Sequence, residues 1–503
     1  MIHGYSLMAL LLMAMSLPSW AEPRLDYDVD DDGLIEIQDL ADLNEIRNNI
    51  TAVNYSDTYV VHELLGNTLY GVNDGCPLDG CNGYELINDL NFDDNNNGLF
   101  DEGDEFWNEG KGWKSIGDFD LKFNTEFNGN GYGIYNLIMR RPGERFLGLF
   151  GYAEYAHIHH FSLSANLITG GESGAILGYG WKTTLDNINA NVILKGEPAG
   201  DDCTVKCEAE IIGGLVGSGD ELNFHHIVLK IKLSGVDRLG GVVGIIFKSQ
   251  FSELAIDAQI IGQDSMGALA GTYSDGEIKS VAVFVNSIGG TGVGGLLGES
   301  QDIIIKDVLL SGSIDAANGV SRYARAGALI ASSDSSTISN VISLMRLPED
   351  ENDQHFFGAL MGDASSAEIE NAYWAQDLAL RNYLFGNAHS RLGQNWSLID
   401  LQCASLTQSC NGLLFDDFTG SVNSEQQPLW DFGTNTQAPA MVLSMGRFAD
   451  TDGNGIADNW PEINASISPQ PSEADGSSSG GGGAMYLALL LIFFIRKKPI
   501  QGH

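Results

Sequence analysis

Between Leu147 and Gly362 apolar and polar positions recur in columns. The unit is a Gly or Ala pair, two apolar residues and a Gly, as in Gly174-Ala-Ile-Leu-Gly178, Gly213-Gly-Leu-Val-Gly217, Gly240-Gly-Val-Val-Gly244, Gly267-Ala-Leu-Ala-Gly271 and Gly294-Gly-Leu-Leu-Gly298. Degenerate copies sit at Leu147–Gly151, Gly327–Ala331 and Gly358–Gly362, and four successive copies start 27 residues apart, at Gly213, Gly240, Gly267 and Gly294. The third position of the unit is always aliphatic, from Leu149 to Leu360. Eleven residues after each start come Ile158, Leu185, Phe224, Phe251, Ile278, Ile305, Ile338 and Ile369, and fourteen after come Phe161, Ile188, Ile227, Leu254, Val281, Val308, Val341 and Ala372. The two columns between those are mostly polar, with Asn187, Asp307, Asn340 and Asn371 among them.

Short β-branched runs broken by Gly and polar pairs predict strands and corners, and no repeat carries a helical stripe. A unit of ~27 residues cannot bury its apolar face alone, so successive units must stack. The predicted fold is all-β, a parallel β-solenoid (β-helix) of about 27-residue coils, right-handed by default, with a short helical N-terminal calcium-loop cap. At ~4.8 Å per rung, eight coils span roughly 40 Å. The glycines suit positive φ or close backbone approach, and the polar pair suits a corner where side chains bond along the stack.

Both ends of the chain read as addresses. Residues 1–21 form a signal-peptide pattern, with an apolar core from Leu7 to Leu17 and Ser19-Trp20-Ala21 before a cut at Glu22, although no Lys or Arg precedes the core. At the other end a Ser/Gly linker (464–483) runs into the apolar stretch Ala484–Ile495 and then Arg496-Lys497-Lys498. Twelve apolar residues reach only ~18 Å as a helix, short of a ~30 Å hydrocarbon core, so this is a transient membrane contact through 484–498. The basic cluster would stay on the cytoplasmic side.

Charge narrows the partners. There are 67 acidic residues against 26 basic, a net charge of −41. A nucleic-acid backbone is repelled by such a surface, whereas cations are drawn to it. The six cysteines fall into three local pairs, Cys76/Cys81, Cys203/Cys207 and Cys403/Cys410. In an exported chain these predict disulfides, with the connectivity left open.

Acidic loops carry the clearest chemistry. Asp28-x-Asp30-x-Asp32-Gly33-Leu34-x-Glu36-x-x-Asp39 follows an EF-hand loop. Hard Ca²⁺ takes six to eight oxygens, here from the side chains of Asp28, Asp30, Asp32, Glu36 and Asp39 and the carbonyl of Leu34. Leu40, Leu43 and Ile46 would line one face of a following helix. A second copy offers Asp93, Asn95, Asn97, Leu99, Asp101 and Asp104, with fewer charges and weaker expected binding. A third set is Asp450, Asp452, Asn454 and Asp458. Calcium is expected to be structural, stiffening the ends of the repeat where open edges invite aggregation.

Several of these features resemble known families. The first loop, with Asp39 in its last position, is similar to dockerin loops, and the third is similar to thrombospondin type 3 calcium motifs. The repeat resembles the GLUG motif, clearest at Gly214-Leu-Val-Gly217 and Gly295-Leu-Leu-Gly298. Asp28–Asn48, Tyr84-Glu85-Leu86, Phe127-Asn-Gly-Asn-Gly131, Asn371-Ala-Tyr-Trp374 and Trp430-Asp-Phe-Gly433 also look like parts of such exported bacterial proteins. The Gly-rich, apolar and basic tail resembles a GlyGly-CTERM sorting signal. That resemblance implies processing by a rhombosortase-type protease, travel by type II secretion, and a cell-surface or extracellular place in a Gram-negative bacterium. None of these resemblances brings a reaction.

The implied organisation is a signal peptide (1–21), calcium loop and cap helix (22–50), lead-in with the second loop (51–126), solenoid (127–375), C-terminal solenoid cap region (376–446), third calcium motif (447–463), linker (464–483) and sorting tail (484–503). No catalytic residue is assigned. His159-His160 and His225-His226 fill the same two columns with Asp186-Asn187 between them, a patch that could bind a metal or glycan or move a proton. The neighbouring Ser252-Glu253 and Lys306-Asp307 make it read as a solvated corner. The functional expectation is adhesion or glycan/matrix binding at an extracellular ligand. The alternative is a β-helix polysaccharide-active lyase or hydrolase.

Overall fold

The computed structural model describes residues 28–50, 52, 81–197, 211–316, 324–348, 355–380, 383–387, 394–432, 437–451, 457–458 and 460. The signal-like segment, the sorting tail, Cys76, Cys203, Cys207, Asp452 and Asn454 lie outside them. Among the described residues no helix is long and apolar enough to cross a membrane.

The fold is all-β. One parallel sheet holds 19 strands, a second holds six two- or three-residue strands, and a small antiparallel sheet of three lies near the C-terminus. The register follows the sequence period: Val216 pairs with Val243, Phe224 with Phe251 and Ile227 with Leu254, each a residue with its counterpart one repeat on. The three apolar columns point inward into one core, and from Leu149 to Leu360 the first column is fully buried. Each such side chain contributes about 1.5–3 kcal/mol relative to exposure. Only Ile369, in the last repeat, is partly buried.

Close approach, rather than positive φ, explains the repeat glycines. A Cβ at Gly240 would lie 1.7 Å from the Val243 carbonyl, and one at Gly214 would lie 2.0 Å from the Gly241 carbonyl. Neither residue has positive φ. Left-handed positions recur in two columns: the polar corner, at His160, Asn187, His226, Glu253, Ser280, Asp307, Asn340 and Asn371 with φ between 50° and 57°, and a second bend eight residues after each start, at Tyr155, Lys182, Glu221, Lys248, Asp275, Asp302 and Ser335. Asn, Asp and His tolerate this region best among residues with a Cβ. The left-handed corner residue breaks the period-2 alternation of the strand. Both flanking columns, eleven and fourteen residues after each start, can therefore face the core.

The segment that follows the first acidic loop joins the same sheet. Strand Leu34–Ile37 pairs in parallel with Gly83–Leu86, which pairs with Glu126–Asn128, which pairs with His157–Thr169. Helix Leu40–Glu45 follows the first loop and buries Leu40 and Leu43, with Ile46 buried just beyond it.

At the other end, strand Gln394–Trp396 pairs with Ala367–Ala375. Helix Leu398–Cys403, the Cys403–Cys410 disulfide and strands Trp430–Asp431, Ala440–Leu443 and Gly446–Phe448 then turn back along the flank of the large sheet. There Leu401, Phe418, Trp430, Met441 and Phe448 form a second core with Val228, Ala255, Ala282, Leu309, Ile342 and Tyr373.

Candidate metal centre and ligand-binding flank

The first acidic loop closes on itself. Asp28 Oδ2 accepts the Gly33 N–H at 2.9 Å and Asp32 Oδ1 the Leu34 N–H at 2.8 Å. Asp31 and Gly33 take left-handed φ of 61° and 91°, which makes the sharp turn. Carboxylate oxygens of Asp28, Asp30 and Asp32 lie within 4.8 Å of one another, and those of Asp30, Glu36 and Glu85 form a second, overlapping group. Glu36 accepts the Val29 N–H at 2.5 Å, while Leu34 opens the strand that carries Glu36 into the cluster.

Glu85 arrives from outside the loop. It is paired in register with Glu36, is buried, and accepts the Asn130 amide at 3.2 Å. Burial first, then the charges of Asp32, Asp30, Glu36 and Asp28, push its carboxyl up to about 7. Five carboxylates held so close need protons or a cation, and an all-oxygen set suits a hard ion such as Ca²⁺. Asp39 joins neither group; it is the N-cap of the helix and accepts the Asp42 N–H at 3.0 Å. Motif spacing missed Glu85 because it is distant in sequence. The clue was the shared apolar–Glu–apolar pattern of Ile35-Glu36-Ile37 and Tyr84-Glu85-Leu86, which marks neighbouring strands.

In the second loop Asp93 takes the Asn97 N–H at 3.1 Å and the Gly98 N–H at 3.0 Å through its two oxygens. Asn95 accepts the Asn97 N–H at 3.0 Å, and Asn97 accepts the Leu99 N–H at 2.7 Å. The Asn97 amide reaches Asp101 at 3.0 Å. The Gly103 N–H and the Asn97 amide hold the Asp101 carboxyl below its ordinary value. Asp104 accepts the Asp101 N–H at 2.8 Å, and burial pushes its carboxyl up. Its Oδ1 is buried without a hydrogen bond of ordinary geometry, although the Asn95 N–H lies near enough to offset part of that rise. A cation in this loop would satisfy that oxygen, so the residues fit the group.

The third set is divided. Asp450 is buried against the large sheet and accepts the Ser311 hydroxyl at 2.6 Å, while Asp458 accepts the Thr451 N–H at 2.8 Å.

Around the corner, His159, Asp186 and His225 are successive register partners. They do not bond to one another. Asp186 Oδ1 lies 2.8 Å from His226 Nδ1, His225 Nδ1 lies 2.5 Å from Ser252 Oγ, and His159 Nε2 faces Glu126 at 2.9 Å. Burial pushes both His159 and His225 down. The side chains form a ladder, with each imidazole committed to a neighbour.

The opposite flank is open. The residue five places after each start forms a continuous column: Tyr152, Tyr179, Ser218, Ile245, Thr272, Glu299, Ser332 and Asp363. At its first end Tyr152 and Tyr179 stack at 4.7 Å, Phe119 meets Tyr152 edge-on, and Tyr155 lies 5.1 Å from Trp181. Phe119 is 67% exposed and Tyr155 58%. Toward its other end an open groove of about 410 Å³ is lined by Thr272, Glu299, Gln301, Ser332, Asp334 and Asp363. Compared with known proteins, the chain matches no family model, no curated sequence and no solved structure.

Proposed function

We propose that this chain is an exported β-solenoid surface protein, stabilised by calcium, whose open flank binds a glycan or matrix polymer. One observation carries the binding claim: the stacked pair Tyr152 and Tyr179, with Phe119, Tyr155 and Trp181 beside it, stands at one end of a column whose other end lines a groove of hydroxyls, amides and carboxylates. Aromatic faces pack on sugar rings and polar groups read their hydroxyls, so a long ligand could lie across successive strands. The 27-residue register supports coils that close on themselves, with the six short strands making a second face. The signal-like opening and the tail's resemblance to a sorting signal support export and surface display, with a rhombosortase-type protease and the type II system as partners. The clustered carboxylates of the first loop and the buried Asp104 of the second support calcium.

The test is incubation with a panel of polysaccharides, with and without Ca²⁺, recording bound polymer and released sugar together. Binding without turnover, weakened at least about tenfold by Tyr155→Ala with Trp181→Ala, is the expected result. Absence of binding across the panel, or release of sugar, would overturn the binding reading, and release would favour a polysaccharide-active enzyme. Chelation should lower the melting temperature by roughly 2–5 °C, as loss of a few kcal/mol does in a chain of this size. An unchanged melting temperature in EDTA would remove calcium from the proposal.

A further inference from the structure

A second kind of metal chemistry lies at the junction between the acidic-loop segment and the repeat. Glu126 stands on strand Glu126–Asn128, and His157 and His159 stand on the adjacent His157–Thr169. Register sets Glu126 against His157 and Asn128 against His159. Residues two apart on a strand share a face, and the His157 and His159 rings stack at 3.9 Å. One ligand atom from each of Glu126, His157 and His159 lies within 4.8 Å of the others.

The closest edge of this triangle, Glu126 Oε1 to His159 Nε2, is 2.9 Å. Ligand atoms bound to one ion at about 2.0–2.2 Å sit about 3 Å apart, so that edge already has coordination geometry. His159 is buried, and its other nitrogen lies 2.6 Å from His160 Nδ1. If Nε2 is the metal-facing lone pair, Nδ1 carries the proton and donates it to His160. Outer partners fix the tautomer and ring of metal-bound histidines in the same way. His160 is held there by its place in the left-handed corner.

We propose that Glu126, His157 and His159 bind one divalent transition-metal ion, with Zn²⁺ the best match to two imidazoles and a carboxylate. Imidazole donors select against Ca²⁺, which prefers oxygen, so this site is separate from the acidic loops. Three protein ligands leave a coordination position for water, and the bound ion would pin the two strands together.

The experiment titrates Zn²⁺ against a competing chelator into the full chain, with Ca²⁺ at millimolar excess to occupy the acidic loops. One equivalent should bind, and it should raise the melting temperature. His157→Gln and Glu126→Gln should each weaken binding at least about tenfold, in line with loss of one ligand. His226→Gln, in the next histidine pair, should leave it unchanged. Because His157 is solvent-accessible, the Zn²⁺-free melting temperature of His157→Gln should match the parent and separate ligand loss from misfolding. No uptake beside saturating Ca²⁺, or uptake abolished by His226→Gln but not by His157→Gln, would overturn the proposal.

Discussion

Fifteen residues after each repeat start, an outward column divides the large sheet into two regions. In the first two repeats it holds Ser162 and Asn189, both partly exposed; in the last six it holds Val228, Ala255, Ala282, Leu309, Ile342 and Tyr373, all fully buried or nearly so. Register runs through both regions without a break, from Ser162 against Asn189 to Ile342 against Tyr373. The inward columns therefore set the backbone, and the outward column decides whether that flank meets water or the returning C-terminal segment. A polar seam joins the apolar strip. Asp307 accepts the Ser421 hydroxyl at 2.5 Å and the Trp430 indole N–H at 3.4 Å, while Glu253 accepts the backbone N–H groups of Ser424 and Ser444.

The sharpest way to break this contrast is to place the same charge in both regions. Leu309→Asp would bury a carboxylate beneath the C-terminal segment, at a cost of about 3–5 kcal/mol. Ser162→Asp, in the open region, should stay within about 0.5 kcal/mol of the parent. Denaturant unfolding with limited proteolysis checks both, and residues 397–460 should become the first region cleaved in Leu309→Asp. Equal stability of the two variants would mean the strip is not held under cover.

Acid should loosen the covered region by a smaller amount. Burial pushes the Glu253 carboxyl up, but the Ser444 and Ser424 donors outweigh it and leave the group below its ordinary value. A carboxylate with a depressed folded pKa stabilises above its unfolded value, and that stability is lost as pH falls through the folded one. Amide exchange in Trp430–Phe448 should therefore quicken as pH falls below about 4.5, after correction for intrinsic rates. Glu253→Gln should flatten that dependence. A parent profile already flat across this range would leave the seam without an electrostatic part.

Much of this was written in the sequence. Inward columns were legible because burial requires apolar side chains at a fixed period, and the first acidic loop was legible because its turn and ligands are local. Of the two roles expected of the glycines, close approach holds, whereas positive φ falls on His160, Asn187 and other residues with a Cβ. The polar pair signalled a corner without saying which of its residues turned the chain. The covered flank also left a mark. Phe161-Ser162-Leu163 and Ile188-Asn189-Ala190 alternate as a one-sided strand does, whereas Ile227-Val228-Leu229 and Val308-Leu309-Leu310 are apolar throughout. A continuous apolar run means both faces are buried. What covers the second face comes from outside the repeat, between Leu401 and Phe448, and periodicity carries no such information. Glu85 and the Glu126–His157–His159 group were hidden for the same reason, since each depends on register between strands distant in sequence.

The mildest test asks whether the outward column alone can recruit cover. Ser162→Val with Asn189→Val would extend the apolar strip across the first two repeats without changing any inward residue. Valine suits a strand, so the double variant should fold with stability within about 0.5 kcal/mol per site of the parent. Among the described residues, the covering side chains from Leu401 to Phe448 cluster with the six later positions and not with 162 or 189. Amide exchange of His157–Thr169 and Thr184–Gly196 should remain at parent rates, with more self-association at high concentration as the sign of uncovered apolar surface. Slowed exchange in those strands without self-association would show that the C-terminal segment shifts along the flank to follow the apolar column. In that case the boundary between the two regions would be set by side-chain polarity alone, and the seam at Glu253 and Asp307 would have no part in fixing it.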